Sequence, residues 1–396
     1  MRRIDSIDYW YSLMTVPVDS SGKKILVDKM IKVLTKETPD LCSLILERNC
    51  NLNCAHCFFK KEKTSAGVSM MVELESKVLS VVSQLPKNSA IIHEGRILKS
   101  WHVPLLKKIR ESRGDISIGL LDNGSYLKNE FSLRENNFLF DWIDISVDGP
   151  RQIHNLQRCS QTSFDEAIAG LKRAKEFVVP EDGKVTSLFT ATRVNYKYLA
   201  ETAKLLIDEG LIDELHVTPA SEVVSKNNHV VMSDQDWFIF WKQFKQARNL
   251  GIKSGVKIFL KLYQLKDIMS LSRVVGRKEF FKGFNDTDFI LVDRGSVSFV
   301  VDGVRITYIP MSICSSETFV VDADGKYRLA YSVQYTLEEL NEGIDSMGNK
   351  IEAYTVCEIN SDSNYKNLYS LGAKQWFTSF GNKELEEEIK FFSSKY

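Results

Sequence analysis

Three cysteines lie within eight residues of the stretch RNCNLNCAHCFFK (residues 48–60), where Cys50, Cys54 and Cys57 are spaced C-x3-C-x2-C. The chain has seven cysteines, so they cannot all pair, and three this close make a poor disulfide framework. Metal binding or thiol catalysis is the better reading. Structural zinc takes four ligands, usually as two separated pairs. Here the nearest fourth ligand is His56, squeezed between Cys54 and Cys57, and no second C-x2-C or H-x3-H pair follows. A thioredoxin-like pair would use Cys54 and Cys57 and leave Cys50 unexplained. A [4Fe–4S] cluster on three thiolates uses all three and leaves one iron open to a further ligand.

The elements around this loop must hold it in place. LCSLILE (41–47) is an apolar run of strand length that leads straight into the cysteines. ELESKVLSVVSQL (73–85) has helical periodicity, SAIIHEG (89–95) reads as a strand, and VPLLKKIRESRG is a helix stopping at Gly114. ISIGLLDNG (116–124), FDWIDISVDG (140–149), KVTSLFTATRVN (184–195) and DELHVTPA (213–220) are further strands. Helical stretches TSFDEAIAGLKRAKEF and YLAETAKLLIDEG lie between the later ones. About six βα units in series imply a parallel sheet, and in a barrel the strand ends form the ligand face. The pattern then breaks. Residues 233–275 read as helical, aromatic and basic, and residues 288–335 as strands joined by Asp-Gly turns, hence antiparallel hairpins. The expected organisation is an N-terminal extension (1–40), an α/β partial barrel (41–232) and a smaller α+β region (233–396). ELEEEIKFFSSKY suggests a closing helix or tail.

Composition narrows the function classes. The 396 residues are 43% hydrophobic, and 52 basic residues balance 52 acidic ones. No net field favours nucleic acid or an anionic lipid surface. The N-terminus has no apolar core of signal-peptide length, and no apolar run approaches the roughly 20 residues that span a bilayer. The expectation is a cytoplasmic protein with reduced thiols and neither membrane nor nucleic-acid partners.

The stretch C-N-L-N-C-A-H-C-F after a short apolar strand resembles the signature of the radical S-adenosylmethionine (radical SAM) superfamily. That resemblance implies a partial (β/α)6 barrel, in agreement with the strand and helix count. It implies one [4Fe–4S] cluster on Cys50, Cys54 and Cys57, with S-adenosylmethionine chelated at the open iron. Reductive cleavage would give methionine and a 5′-deoxyadenosyl radical that abstracts hydrogen from substrate. Phe58 is the aromatic typical after the last cysteine, and Asp122–Asn123–Gly124 resembles the T-N-G turn of the third strand. ISVDGPRQIHNLQR (145–158) resembles the I-S-L-D-G…H-(D/N)…R segment of peptide-modifying branches. By resemblance Ser146 and Arg158 hold the S-adenosylmethionine carboxylate, Asp148 shapes the strand end, Asn195 follows the fifth strand, and Val217 is an adenine contact. One stretch departs from the family: its usual G-G-E-P is replaced by His93–Glu94–Gly95–Arg96, where Gly95 permits close backbone approach and Glu94 could meet the methionyl ammonium.

ICSSETFVVDADGKYRLAY (313–331) resembles the SPASM/twitch extensions of the same superfamily. Cys314 fits its first cysteine, but Leu329–Ala330–Tyr331 stands where the second belongs, and only Cys357 follows. Two thiolates are too few, so no auxiliary cluster is expected. An external reductant such as a flavodoxin or ferredoxin is then implied. Cys159 and Cys314 are candidate hydrogen donors to a substrate radical, against the plainer reading of small hydrophobes. His154 is the best placed of the histidines to act as acid or base; His93, His102 and His216 read as structural. QDWFIFWKQFKQA (235–247) reads as a helix packing one region on the other. The leading reading is peptide modification by crosslinking, epimerisation or dehydrogenation, with a sugar, aminoglycoside or nucleotide epimerase or dehydratase as alternative. Outside enzymes, an electron-transfer iron–sulfur protein or a zinc-stabilised binding protein remains open.

Overall fold

The computed structural model describes residues 41–57, 59, 68–94, 98–99, 101–127, 139–220, 230–282, 290–291, 297–309, 318–328, 337–344, 348, 357–358, 387 and 391. The N-terminal extension 1–40, Phe58, Gly95, Arg96, Cys314, the stretch around Ala330 and most of the C-terminal tail lie outside these residues.

The chain alternates strand and helix through β1 (Leu41–Leu44), α1 (Val68–Ser83), β2 (Ala90–His93), α2 (His102–Ser112), β3 (Ser117–Asp122) and β4 (Trp142–Ser146). It continues with α3 (Arg151–Arg158), α4 (Ser163–Ala174), β5 (Lys184–Ala191), α5 (Leu199–Asp208), β6 (Glu214–Pro219), α6 (Asp234–Ser254) and β7 (Lys257–Leu262). Then come α7 (Leu265–Val275), α8 (Arg277–Lys282), β8 (Ile290–Leu291), β9 (Val297–Val301), β10 (Val304–Tyr308), β11 (Thr318–Val321), β12 (Lys326–Arg328), α9 (Leu337–Glu342) and β13 (Cys357–Glu358). β1 to β7 pair in chain order and in parallel, the α/β partial barrel expected from the sequence.

One expectation changes. KIFLKL is the strand β7, not part of a helical stretch: α6 ends at Gly255, whose φ of 75° only glycine adopts freely, and the strand residues alternate K-I-F-L-K-L. The later hairpins extend the same sheet. β10 joins β7 in parallel and β11 joins β1 in parallel, so one 13-stranded sheet runs β13-β12-β11-β1-β2-β3-β4-β5-β6-β7-β10-β9-β8. The hairpins themselves are as read. β9 and β10 are antiparallel across Asp302–Gly303, both with positive φ, the twist-matched two-residue turn.

Alternation sorts the strand residues onto two faces. Cys42, Leu44, Ile91, Ile118, Leu120, Ile143, Ile145, Val185, Phe189, Leu215, Val217, Leu260 and Leu262 are buried in the core beneath the helices. Their neighbours Trp142, Ser146, Leu188, Thr190, Glu214, His216, Thr218, Phe259 and Lys261 are half-buried on the inner face. That face carries polar groups because it remains open. α6 is anchored at its start by a capping box, Ser233 with Asp236. Its Trp237, Phe240, Trp241 and Phe244 are buried, in packing against α5, β7 and α7.

Candidate functional site

The cysteine loop leaves β1 at the carboxyl end of the sheet and is tied down on two sides. On one side the Ala55 amide donates to the Gln157 carbonyl at 3.0 Å, docking the loop on α3. On the other, Asn123 Nδ2 donates to Asn51 Oδ1 at 2.9 Å, and Asn51 Nδ2 to Ser125 Oγ at 3.2 Å. The turn after β3 that carries Asn123 is fixed in turn. Asp122 accepts from the Gly124 and Leu98 amides, and Gly124 lies so close to Gly170 of α4 that a Cβ on Gly170 would sit 2.7 Å from the Gly124 Cα. Asn51, between the cysteines, and Ser125 are positioning residues that sequence reasoning passed over.

Inside the loop the Cys57 amide donates to the Cys54 carbonyl at 3.2 Å. All three thiols are free; Cys50 and Cys54 are half-buried and Cys57 is exposed. Burial pushes the Cys54 thiol up to about 11, with Arg158 pulling the other way. Arg158 Nη1 lies 3.7 Å from Cys54 Sγ, and its Nε donates to Asp148 Oδ2 at 2.5 Å. Burial opposes the Arg158 charge, but Asp148 and Cys54 hold it firmly protonated. For Asp148, burial works upward and is outweighed by Arg158, so the carboxylate stays below its ordinary range. A cation fixed beside one thiol is the environment that favours its anionic, ligating form. Three sulfur donors suit an iron–sulfur cluster. The donor set therefore fits a cluster held by Cys50, Cys54 and Cys57.

Asp148 is also the hub of the strand ends. Its Oδ1 accepts the Thr190 amide at 2.9 Å, its amide donates to His154 Nδ1 at 3.0 Å, and its carbonyl accepts Asn195 Nδ2 at 2.8 Å. Asn195 is fully buried: its amide group also donates to the Thr190 carbonyl, and its oxygen accepts from Thr192. It locks the β5 end to the Asp148 turn and has no group left to offer a cofactor. Val217 is likewise corrected. Its side chain lies in the helix-facing core, because His216 and Thr218 take the inner face. His154 serves the turn as an acceptor and is held neutral by burial, which pushes it down to about 3. Ser146 ends β4 on the inner face, half-buried. Gln157, unremarked in the sequence, bridges α3 to β5 through Thr190 and Thr192.

The stretch after β2 divides between the two faces. Glu94 shares the inner face with Ser43, whose hydroxyl donates to it. His93 points the other way, into the helix layer, where Nε2 meets His102 Nδ1 at 2.8 Å. Burial pushes His93 down to about 4 and lowers His102 as well. This pair is a packed polar contact, so of the described residues of this stretch, His93 and Glu94, it is Glu94 that lies on the inner face. Cys159 caps α3 in the left-handed conformation (φ 51°), exposed, with its thiol against the Leu156 carbonyl.

Residues 44–206 match the family model described as Radical SAM superfamily. Among known proteins, the chain is 27% identical over 178 residues to the pre-heme d1 synthase of Dinoroseobacter shibae, covering 44% of this chain and 41% of that protein. It is 27% identical over 172 residues to a cysteine-type anaerobic sulfatase-maturating enzyme of Clostridium perfringens, covering 38% and 46%. The chain thus spans less than half the length of these relatives. Among solved structures it resembles Streptococcus suis SuiB bound to precursor peptide SuiA, with TM-score 0.54, 12% identity and coverage of 88% of this chain and 68% of that one. Native anSMEcpe with bound AdoMet gives TM-score 0.50 and 16% identity, covering 89% and 99%. At such identities the likeness speaks to the fold. No helix among the described residues is long and apolar enough to cross a membrane.

Proposed function

We propose, from the match of residues 44–206 to the Radical SAM superfamily model, that this protein cleaves S-adenosylmethionine reductively and modifies a peptide by hydrogen abstraction. The observation that carries the reading is the Cys54–Arg158–Asp148 alignment at the carboxyl ends of the strands, at 3.7 and 2.5 Å. Cys50, Cys54 and Cys57 would hold a [4Fe–4S] cluster, which would supply the electron for reductive cleavage of the sulfonium of S-adenosylmethionine. The protein's part is electrostatic. Arg158 sits beside the ligating sulfur and presents charged N–H donors to a carboxylate. Asp148 fixes the guanidinium plane, and Asn195 and Thr190 fix Asp148. Ser146 and Glu94 face the same side and would complete the methionyl site.

A single cluster is part of the proposal, because only Cys314 and Cys357 lie beyond residue 232; the electron then comes from a separate reductant protein. Peptide as substrate is supported by the likeness to a structure that holds a precursor peptide. Anaerobic reconstitution tests the reading. A brown protein with about four irons that forms 5′-deoxyadenosine under reductant, and loses this in Cys54→Ala, supports it. A colourless protein holding one zinc would sink it, and a brown one that never cleaves S-adenosylmethionine would favour electron transfer.

A further inference from the structure

A second group of polar side chains lies on the inner face, away from the cysteine loop. Pairing sets Asp144, Thr186, Glu214 and Lys257 in one row across β4 to β7, and Ser146, Leu188, His216 and Phe259 in the next. Lys261 Nζ donates to His216 Nδ1 at 2.9 Å, and His216 Nε2 donates to Glu214 Oε2 at 3.0 Å. The imidazole is therefore neutral, with its tautomer set by both neighbours. Asp144 stands across from this relay. Thr186 is its register partner on β5, and Thr186, Trp142 and Lys261 all act to favour its charge. Trp142 lies over Gly119, where any Cβ would be 2.0 Å from the ring, so the indole is held flat on this wall.

One atom of the group has no partner. Asp144 is 8% exposed, yet its Oδ1 makes no hydrogen bond. A buried carboxylate oxygen left unpaired is destabilising, and such a cost persists where a ligand removes it. The unpaired oxygen belongs to the row adjoining Ser146, the residue expected beside S-adenosylmethionine. Lys261 and Lys257 already oppose the charges of Asp144 and Glu214, so a further cation gains little here. An uncharged N–H or O–H donor pairs with Oδ1 without disturbing that balance, and Leu188, Phe259 and Trp142 supply apolar surface beside it.

We propose that Asp144, with Trp142, Thr186, His216 and Lys261 around it, is a binding site on the inner face for an uncharged hydrogen-bond donor, a peptide amide N–H of the substrate. The peptide identity of the donor rests on the function proposed above; the donor site does not. The test uses N-methylacetamide, which has one N–H, against N,N-dimethylacetamide, which has none, and methylammonium, which is a cation. Saturation-transfer NMR on the full chain should show N-methylacetamide binding at least about fivefold above the other two, with the difference gone in Asp144→Ala. Because that variant removes a buried charge and could unfold, the wild-type Trp142 indole N–H resonance, identified by its loss in Trp142→Phe, is followed as well. It should move with N-methylacetamide and stay with N,N-dimethylacetamide. Equal binding of the two amides, preference for methylammonium, or a stationary Trp142 resonance would overturn the proposal. Iron content and 5′-deoxyadenosine formation are measured separately, so failure of the radical reading leaves the donor site standing, and the reverse.

Discussion

Two buried aspartate–arginine knots flank the cysteine loop, and they differ in what they leave unfinished. At the seam where β11 joins β1, Asp322 accepts from Arg48 Nε at 2.9 Å and from Arg328 Nε at 2.7 Å, while Arg328 also holds Asp324. Arg48, Asp322 and Arg328 are each at most 2% exposed. This knot joins the strand entering the cysteine loop to the C-terminal hairpin and touches no thiol in the described contacts. The Asp148–Arg158 knot uses the same two residue types but directs one guanidinium nitrogen at Cys54. The chemistry of the pair is shared; its third partner separates a structural lock from the candidate site.

Mutations can break that contrast. The largest effect is expected at Arg158→Ala, which strips the charge beside Cys54 and leaves Asp148 buried and unpaired. 5′-Deoxyadenosine formation should fall by at least about 100-fold, equal to about 2.7 kcal/mol, with iron content reduced. Asp322→Ala leaves two arginines without their shared carboxylate and should cost about 3–5 kcal/mol in urea unfolding. Iron content measured in the cold, where the variant is folded, should be unchanged. If Asp322→Ala loses iron while folded, the two knots are not different in kind.

Acid sharpens the comparison. Asp148 and Asp322 have lowered pKa values, so each stabilises the fold above its unfolded value near 4 and that contribution fades only below it. Buried histidines act earlier. His56 and His93 are pushed down to about 4 and His154 to about 3, so the unfolded chain takes up protons first. Stability present at neutral pH is therefore lost as pH falls from about 6.5 toward 4, by about 3 kcal/mol for one such group. Asp122 and Asp144, raised to about 6 by burial, oppose this over the same range. Unfolding measured from pH 7 to 4.5 should show a net loss, shallower in His93→Gln; a flat profile would contradict it. Asn195→Ala should cost about 1–3 kcal/mol by leaving the Asp148 and Thr190 carbonyls short of a donor. Cys159→Ser should change stability by less than about 0.5 kcal/mol and leave 5′-deoxyadenosine yield unchanged, since its thiol is exposed at the end of α3.

Much of the architecture was legible because it is local. The strands of the α/β series announce themselves by apolar runs and by turns such as Asp122–Asn123–Gly124, and the cysteine loop by spacing alone. β7 was missed because its alternation follows a long aromatic helix with only Gly255 and Val256 between them. Part of the candidate site was legible. The structure brings Arg158, singled out in the sequence, against Asp148 and Cys54, whereas Asn195 is saturated by hydrogen bonds and Val217 lies in the helix-facing core, because hydrogen-bond saturation and strand parity decide what a side chain can reach. Spacing determined the cysteine loop, the order of βα units and the hairpin turns, since each depends on neighbours in the chain. Only the tertiary structure decided which arginine meets Cys54, that Ser43 meets Glu94, and that Lys261 offsets the charge of Asp144. Those relations join residues dozens of positions apart or more, and long-range packing alone brings them together.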